Sequence, residues 1–369
     1  MPAPSFNSLY VHVPFCDAKC AYCAFYSEAG LDLSWHRRWQ ERLEEEFRAH
    51  ANACTPLSSV FIGGGTPTLL AADELQKLFA AIHRNFRLAG DCEISIEANP
   101  GSLTPEKIAI LAAGGVNRVS LGVQSFSLRR RQILGRRADP AGVPALLGEL
   151  RAAGIQRHNL DFIYAIPGQA LADWEDDLRR AGDLGITHLS AYALTIEEGT
   201  RLADAATPPA DDELQVAMWE RTAEILGGYG LQRYEISNYA RPGAECRHNL
   251  DIWFGGTYVG TGPAAASFDG CQRWTNPADL RQWLAGAPAE LDKLAPAARA
   301  AEILAFGMRT VAGWDLDRFR QRTGFEATAL RGDAIAELCQ QGLVVLAENR
   351  LQCTHNGLLF NDLVLRELL

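Results

Sequence analysis

A parallel α/β barrel of six βα units, followed by a smaller helical module, is the fold class predicted by this 369-residue sequence. Short β-rich runs alternate six times with stretches long enough to hold a crossover helix, which is what parallel strands require. A doubly wound sheet shares that alternation. The chain's unusual residues decide for the barrel: they fall at or just beyond the C-terminal ends of the runs, where a parallel barrel gathers its active site.

The six runs are residues 9–13, 59–62, 93–97, 118–122, 159–163 and 188–192. A helix is predicted over residues 34–51 with Ser34 as N-cap, and another from Thr104-Pro105, an N-cap followed by proline at the first helical position. A long helix is predicted over 212–226. After it come Gln232-Arg233-Tyr234-Glu235-Ile236-Ser237-Asn238-Tyr239 and an irregular stretch, 241–275. The Ala- and Pro-rich residues 285–300 read as a boundary. Beyond it, helical patterns at 297–311, 315–322 and 328–341 precede a hairpin of 343–346 with 350–353 and a closing helix. Helices followed by a hairpin resemble a winged-helix module. The predicted organisation is therefore a barrel core over 1–240, an extension over 241–285 and a winged-helix-like domain over 297–369.

Composition narrows the classes of function. A formal charge of -10 argues against nucleic acid as a partner, since broad phosphate binding needs a basic face, although a local basic patch is compatible with an acidic total. No apolar run is long enough to cross a bilayer, and the opening MPAPSFNSLY has neither the basic flank nor the apolar stretch of an export signal. A cytoplasmic location is expected. The 9 cysteines are odd in number and scattered, which is not a disulfide framework. Cys54, Cys92, Cys246, Cys271, Cys339 and Cys353 are each expected to be small buried apolar residues.

Three cysteines stand apart. Cys16, Cys20 and Cys23 follow Cys-x3-Cys-x2-Cys directly after the first predicted strand. Thiolates this close can face one centre, and soft ligands select zinc, copper(I) or iron-sulfur. Zinc would take a fourth ligand, with His12 or a distant cysteine available. A [4Fe–4S] cluster normally takes four cysteines, so three would leave one iron open for a small molecule.

With Tyr22 just before the last cysteine, this motif resembles the radical S-adenosylmethionine (radical SAM) superfamily. The likeness narrows through Tyr10-Val11-His12-Val13-Pro14-Phe15-Cys16, Gly63-Gly64-Gly65-Thr66-Pro67, Leu121-Gly122-Val123-Gln124-Ser125-Phe126, Asp161-Phe162-Ile163-Tyr164-Ala165-Ile166-Pro167-Gly168, Tyr234 to Tyr239 and Thr354-His355-Asn356-Gly357. These are similar to the oxygen-independent coproporphyrinogen III oxidase family, and within it to the HemW-type haem chaperone branch. The resemblance implies a partial (βα)6 TIM-like radical SAM barrel with a small C-terminal winged-helix-like domain. It implies a [4Fe–4S] cluster on Cys16, Cys20 and Cys23, with S-adenosyl-L-methionine chelating the open iron and cleaved there to a 5′-deoxyadenosyl radical.

By the same resemblance Gly64, Gly65, Thr66, Glu97, Gln124, Arg136 and Asp161 contact the cofactor, as do Tyr10, Tyr22 and Ala193. The residues allow plainer readings too: a tight turn at the glycines, a rim ion pair at Glu97, an ordinary strand aromatic at Tyr10. Asp161 is the most telling of them, because a carboxylate between Leu160 and Phe162 needs a partner to be buried. Two departures favour the chaperone branch over the oxidase: Phe25 occupies the place of the oxidase's fourth cysteine, and only fifteen residues precede Cys16.

In that branch haem is expected on a His-Asn-x-x-Tyr-Trp motif, matched here by His248-Asn249-Leu250-Asp251-Ile252-Trp253. Isoleucine replaces the tyrosine, and Ala266 stands where relatives often carry histidine. His248 is the expected haem ligand, and a hydrogen-bonded loop histidine is the alternative. The resemblance implies delivery of haem to an apoprotein, with respiratory haem proteins as expected recipients and peripheral contact with membrane respiratory proteins, without a transmembrane segment. Coproporphyrinogen oxidation, another radical SAM methyl or cyclopropane chemistry, and a zinc-bound barrel without redox chemistry are the other readings; oxidase activity is not expected.

Overall fold

Along each of six strands apolar residues alternate with polar ones, and this pattern builds the barrel. The strands are β1 (Phe6–Val13), β2 (Cys54–Gly64), β3 (Leu88–Ala98), β4 (Arg118–Gln124), β5 (Arg157–Tyr164) and β6 (His188–Ala193). They are parallel and adjacent in that order in the computed structural model, which describes residues 5–205 and 208–369. The register pairs Leu9 with Val60, Val60 with Ile94, Ile96 with Val119, and Leu121 with Leu160. One face of the sheet is thereby a continuous apolar surface, and a one-residue slip anywhere would turn it inside out.

Helices cover that face: α1 (Leu33–His50), α2 (Ala72–Asn85), α3 (Pro105–Ala113), α4 (Val143–Ala152), α5 (Leu171–Asp183) and α6 (Asp212–Gly228). Trp39 of α1 is fully buried, and its indole N–H donates to the carbonyl of His12 at 3.2 Å, fixing α1 over the end of β1. Thr104 caps α3 as expected, with Pro105 in the first turn. At α1 the cap is Asp32 and not Ser34. Its carboxylate accepts both the backbone N–H (2.8 Å) and the hydroxyl (2.5 Å) of Ser34, because a carboxylate two residues earlier outcompetes the hydroxyl for the free donors of the first turn.

The opposite face of the sheet is polar and lines the barrel. Ser8, Tyr10 and His12 alternate on β1, as do Glu93, Ser95 and Glu97 on β3, Arg118 and Ser120 on β4, and Asn159 and Asp161 on β5. The curl of the sheet shows in the ion pair of Arg157 with Glu93, which spans β4 at 2.9 Å. β1 and β6 do not pair with each other. Strand Asn238–Ala240 runs antiparallel beside β6, and strand Tyr258–Thr261 runs parallel beside β1.

The segment read as an extension is hydrogen-bonded into this sheet. Tyr258–Thr261 leads through Ala266–Phe268 and Arg273–Thr275 to Glu290–Asp292, all antiparallel neighbours. The Ala- and Pro-rich stretch therefore holds the last strand of the main sheet and, from Pro296, the first helix of the C-terminal module. That module contains helices Pro296–Gly307, Leu316–Thr323 and Ala327–Gln340 and a three-stranded sheet whose hairpin is Val344–Ala347 with Arg350–Cys353. It is joined to the barrel by Arg273 with Glu302 (2.7 Å), by a bridge from Glu235 to Thr310, and by Phe254 edge-on to Trp314. Among the described residues no helix is long and apolar enough to cross a membrane.

Of the six scattered cysteines, Cys92, Cys246 and Cys353 are buried, Cys54 and Cys339 are half-buried, and none is in a disulfide. Cys271 is exposed, against expectation, because it lies in the tight turn where its N–H bonds the Asp269 carboxylate.

Candidate functional site

The cysteine loop leaves the end of β1 and is clipped in place by two other segments. Ala21 donates its N–H to the carbonyl of Leu134 (2.9 Å) and accepts the N–H of Leu202 (3.0 Å). Beneath it, Ala21, Leu134, Ile163, Ile166, Leu194 and Leu202 form their own apolar cluster, separate from the main core. Cys16, Cys20 and Cys23 are half-buried at the barrel mouth. Phe25 points out at 73% exposure.

A ring of polar contacts joins two of these thiols through the strand ends. The Cys16 thiol lies 3.8 Å from the Thr66 hydroxyl, which accepts from the Asn99 amide at 3.1 Å. The Asn99 Oδ1 accepts from Arg136 at 2.7 Å, and the same guanidinium donates to the Cys20 sulfur at 3.5 Å and to the Gly122 carbonyl. Burial of Tyr22 pushes its hydroxyl pKa up, with the Arg136 charge opposing. Asn99 escaped the sequence reading; its position directly after β3, two residues beyond Glu97, was the available signal. Among the described residues no three His, Cys, Asp or Glu side chains converge on a point sized for one ion.

The glycines of the next loop are fixed by what surrounds them. Gly64 has φ +107°, and a Cβ there would meet the His12 ring at 2.6 Å. A Cβ on Gly65 would stand 2.6 Å from the carbonyl oxygen of Phe15 and 2.9 Å from that of Val13, the backbone that carries Cys16. These close approaches leave the N–H of Gly64 free to reach Glu97 at 3.1 Å.

Deeper in the mouth, two carboxyl groups face each other across the lumen. Asp161 accepts from Ser120 (2.9 Å) and Asn159 (2.8 Å), and burial raises its pKa. Burial, then the nearby Asp161 charge, pushes the Glu97 carboxyl up to about 7. A carboxyl held this far above its ordinary value is poised to be stabilised by an incoming cation. Tyr10 donates to His12 Nδ1 (3.0 Å), whose Nε2–H bonds the Tyr26 carbonyl (3.1 Å). Gln124 ends β4 with φ +68°, a conformation a non-glycine residue holds only when its surroundings impose it. Ala193 ends β6, next to Tyr192, which faces the Asp161 and Glu97 carboxyls.

The Glu97 shift predicts a pH dependence. A carboxyl whose folded pKa lies above its unfolded value of about 4.5 favours the folded state at low pH, and that contribution is lost as pH rises from about 4.5 through about 7. Thermal midpoints of the apoprotein are therefore expected to fall across this window, and Glu97→Gln is expected to flatten the profile. An unchanged slope in the variant would remove Glu97 as its source.

His248 is not brought to this mouth. It lies on helix Arg247–Trp253, which closes the opposite, N-terminal end of the barrel, and it is 3% exposed. Its Nδ1 bonds the Ser59 hydroxyl at 2.8 Å, its ring stacks on Phe61, and burial lowers its pKa to about 4. Its backbone N–H and that of Arg247 donate to Glu93, which also pairs with Arg157. Trp253 faces Phe306 of the C-terminal module and stacks with Arg309. Ile252 is half-buried on the same helix, and Ala266 is half-buried in the strand paired with Arg273–Thr275. Tyr234 accepts from the Cys246 N–H and bonds His188, so the Tyr234 to Tyr239 motif also serves this floor.

A parallel βα barrel with three thiols, a glycine-rich strand end and two buried carboxyls at one mouth defines the radical SAM class, and the family model of the radical SAM superfamily matches residues 10–181. The model of the HemN C-terminal domain matches residues 294–360. The chain is 38% identical over 389 residues to a heme chaperone HemW of Mycobacterium tuberculosis, covering 100% of this chain and 96% of that protein. It is 32% identical to one of Lactococcus lactis, covering 95% and 94%. The chain thus belongs to the HemW family. The structure of Escherichia coli coproporphyrinogen III oxidase, HemN, superimposes with a TM-score of 0.86 over 99% of this chain and 90% of that one, at 24% identity, which speaks to the fold alone.

Proposed function

We propose that this chain is a radical-SAM-type haem chaperone that holds a [4Fe–4S] cluster and S-adenosyl-L-methionine at the barrel mouth and passes haem to apoproteins, respiratory haem proteins among them. The name shared by its relatives supports the haem role, and the cysteine loop supports the cofactor role. The mouth fits these groups on its own chemistry. Cys16, Cys20 and Cys23 are the soft donors, and the Arg136 guanidinium donates to the Cys20 sulfur. Gly64 and Gly65 keep clear the space that any side chain would fill. Glu97 offers an acceptor suited to an ammonium group or ribose hydroxyls, while Gln124, Asp161 and Tyr10 lie on the lumen face beside it and Ala193, packed on the core, offers its backbone at the end of β6.

When bound, the cluster supplies an electron to the cofactor's sulfonium. The protein's part is to present three thiols, orient the cofactor with Glu97 and the glycine-rich backbone, and exclude bulk water with the strand ends. The observation that carries the reading is the half-buried thiol triad with Phe25 turned outward, so that the loop presents three sulfurs where a four-iron cube has four metal corners. Oxidase chemistry on the same scaffold has no feature here that favours it.

Anaerobic reconstitution is expected to load about four irons and four sulfides per chain. EPR of the reduced protein is expected to change on adding S-adenosyl-L-methionine, and haem is expected to give a Soret band on titration. Iron-free material, or a spectrum indifferent to the cofactor, would overturn the cluster assignment, and vinyl-group formation from coproporphyrinogen III would replace the chaperone with an oxidase.

A further inference from the structure

We propose that the two propionate carboxylates of haem are received by Arg137 and Arg201 in a cavity beside the cysteine loop, so that haem docks at the cysteine end of the barrel and not at His248. This inference rests on the haem reading above and locates its site. The floor end offers no room: His248 is buried, hydrogen-bonded through Nδ1 to Ser59 and pinned through its backbone to Glu93. A macrocycle could reach it only by displacing the helix that closes the barrel.

At the mouth the opposite holds. Two adjoining cavities of about 420 and 510 Å³ share Arg131, Gly135, Arg136, Arg137 and Ala138, and between them the lining carries four arginines against one aspartate. In a chain of net charge -10 this is a local inversion that marks an anion site. Two of the four guanidiniums are committed elsewhere. Arg131 donates to the carbonyls of Val123 and Ala138, and Arg136 serves Asn99, Gly122 and Cys20.

Arg137 and Arg201 have no carboxylate within ion-pair distance among the described residues. Arg201 donates to the carbonyl of Lys19 at 2.8 Å, which ties it to the cysteine loop. Its guanidinium lies over Gly135, where a Cβ would come within 2.8 Å of Nη2. Leu128, 57% exposed, adds an apolar wall to the smaller cavity. Exposed guanidiniums with no carboxylate partner, beside the Leu128 side chain, suit an amphipathic dianion: carboxylates on the cations, the edge of the macrocycle on the leucine.

The test is an anaerobic titration of the cluster-loaded protein with haem and with haem dimethyl ester, read from the Soret band and tryptophan quenching. Arg137→Ala and Arg201→Ala are each expected to weaken haem binding by about tenfold, and the double variant by about a hundredfold. The ester is expected to bind the parent protein as weakly as haem binds the double variant, with no further loss in that variant. His248→Ala is expected to keep full haem affinity. Unchanged far-UV circular dichroism and thermal midpoint in the arginine variants show that they fold. Equal binding of haem and ester by the parent, full affinity in the double variant, or loss of haem in His248→Ala alone would each overturn the proposal. A parent protein that takes up neither ligand overturns the haem reading itself.

Discussion

Glu93→Ala is expected to destabilise the protein by about 3–5 kcal/mol, the range for removing one partner from a buried charge network. Glu93 is fully buried and is the hub of the barrel floor. Burial alone would raise its pKa, but Arg118 and Arg157 together with the N–H groups of Arg247 and His248 overrule it and hold the carboxyl below its ordinary range. Its loss leaves Arg157 without its ion-pair partner, takes one of the nearby negative charges from the buried Arg118, and frees the first turn of the helix that plugs the barrel. Denaturant unfolding of the apoprotein measures the effect. Glu93→Gln should recover only part of the loss, since an amide can accept the N–H bonds but cannot neutralise guanidinium. A cost under about 1 kcal/mol would mean that the floor does not depend on this charge.

Gly65→Ala is expected to abolish cluster loading under conditions that fill the parent protein, with a further 1–3 kcal/mol of lost stability from overpacking. The reason lies in the backbone. Gly65 donates to the Val13 carbonyl at 2.7 Å and Thr66 to the Phe15 carbonyl at 2.8 Å, so the glycine loop lies directly on the chain that carries Cys16. The new methyl group would fall within 3 Å of both carbonyl oxygens and force Phe15 and Cys16 away. Gly90→Ala is the control: nothing lies within 4 Å of its Cβ position, and it is expected to load iron normally. Iron and sulfide analysis after matched reconstitution decides the point. A Gly65→Ala protein with full iron would remove the loop contact from the site.

Much of this architecture was legible because it is written in short-range pattern. The six strands announce themselves by β-rich composition, and the cysteine spacing needs no tertiary information. Asp161 was readable because a carboxylate between Leu160 and Phe162 has to be satisfied by neighbours, and Ser120 and Asn159 do so. What stayed hidden depends on contacts between distant segments. The strands between residues 258 and 292 have only three or four residues each, too few for alternation to show, and they join the sheet only because β1 offers an open edge. The position of His248 follows from Glu93 and Ser59, about 155 and 189 residues away in sequence. Arg201 and Gly135 form a pair that no local motif records.

The clip that holds Ala21 between Leu134 and Leu202 has a consequence for repair. Because other parts of the chain supply these backbone partners, the path of the cysteine loop is set by distant segments as well as by its own residues. If the proposed cluster is held there, protein stripped of it by oxygen is expected to be refilled without refolding.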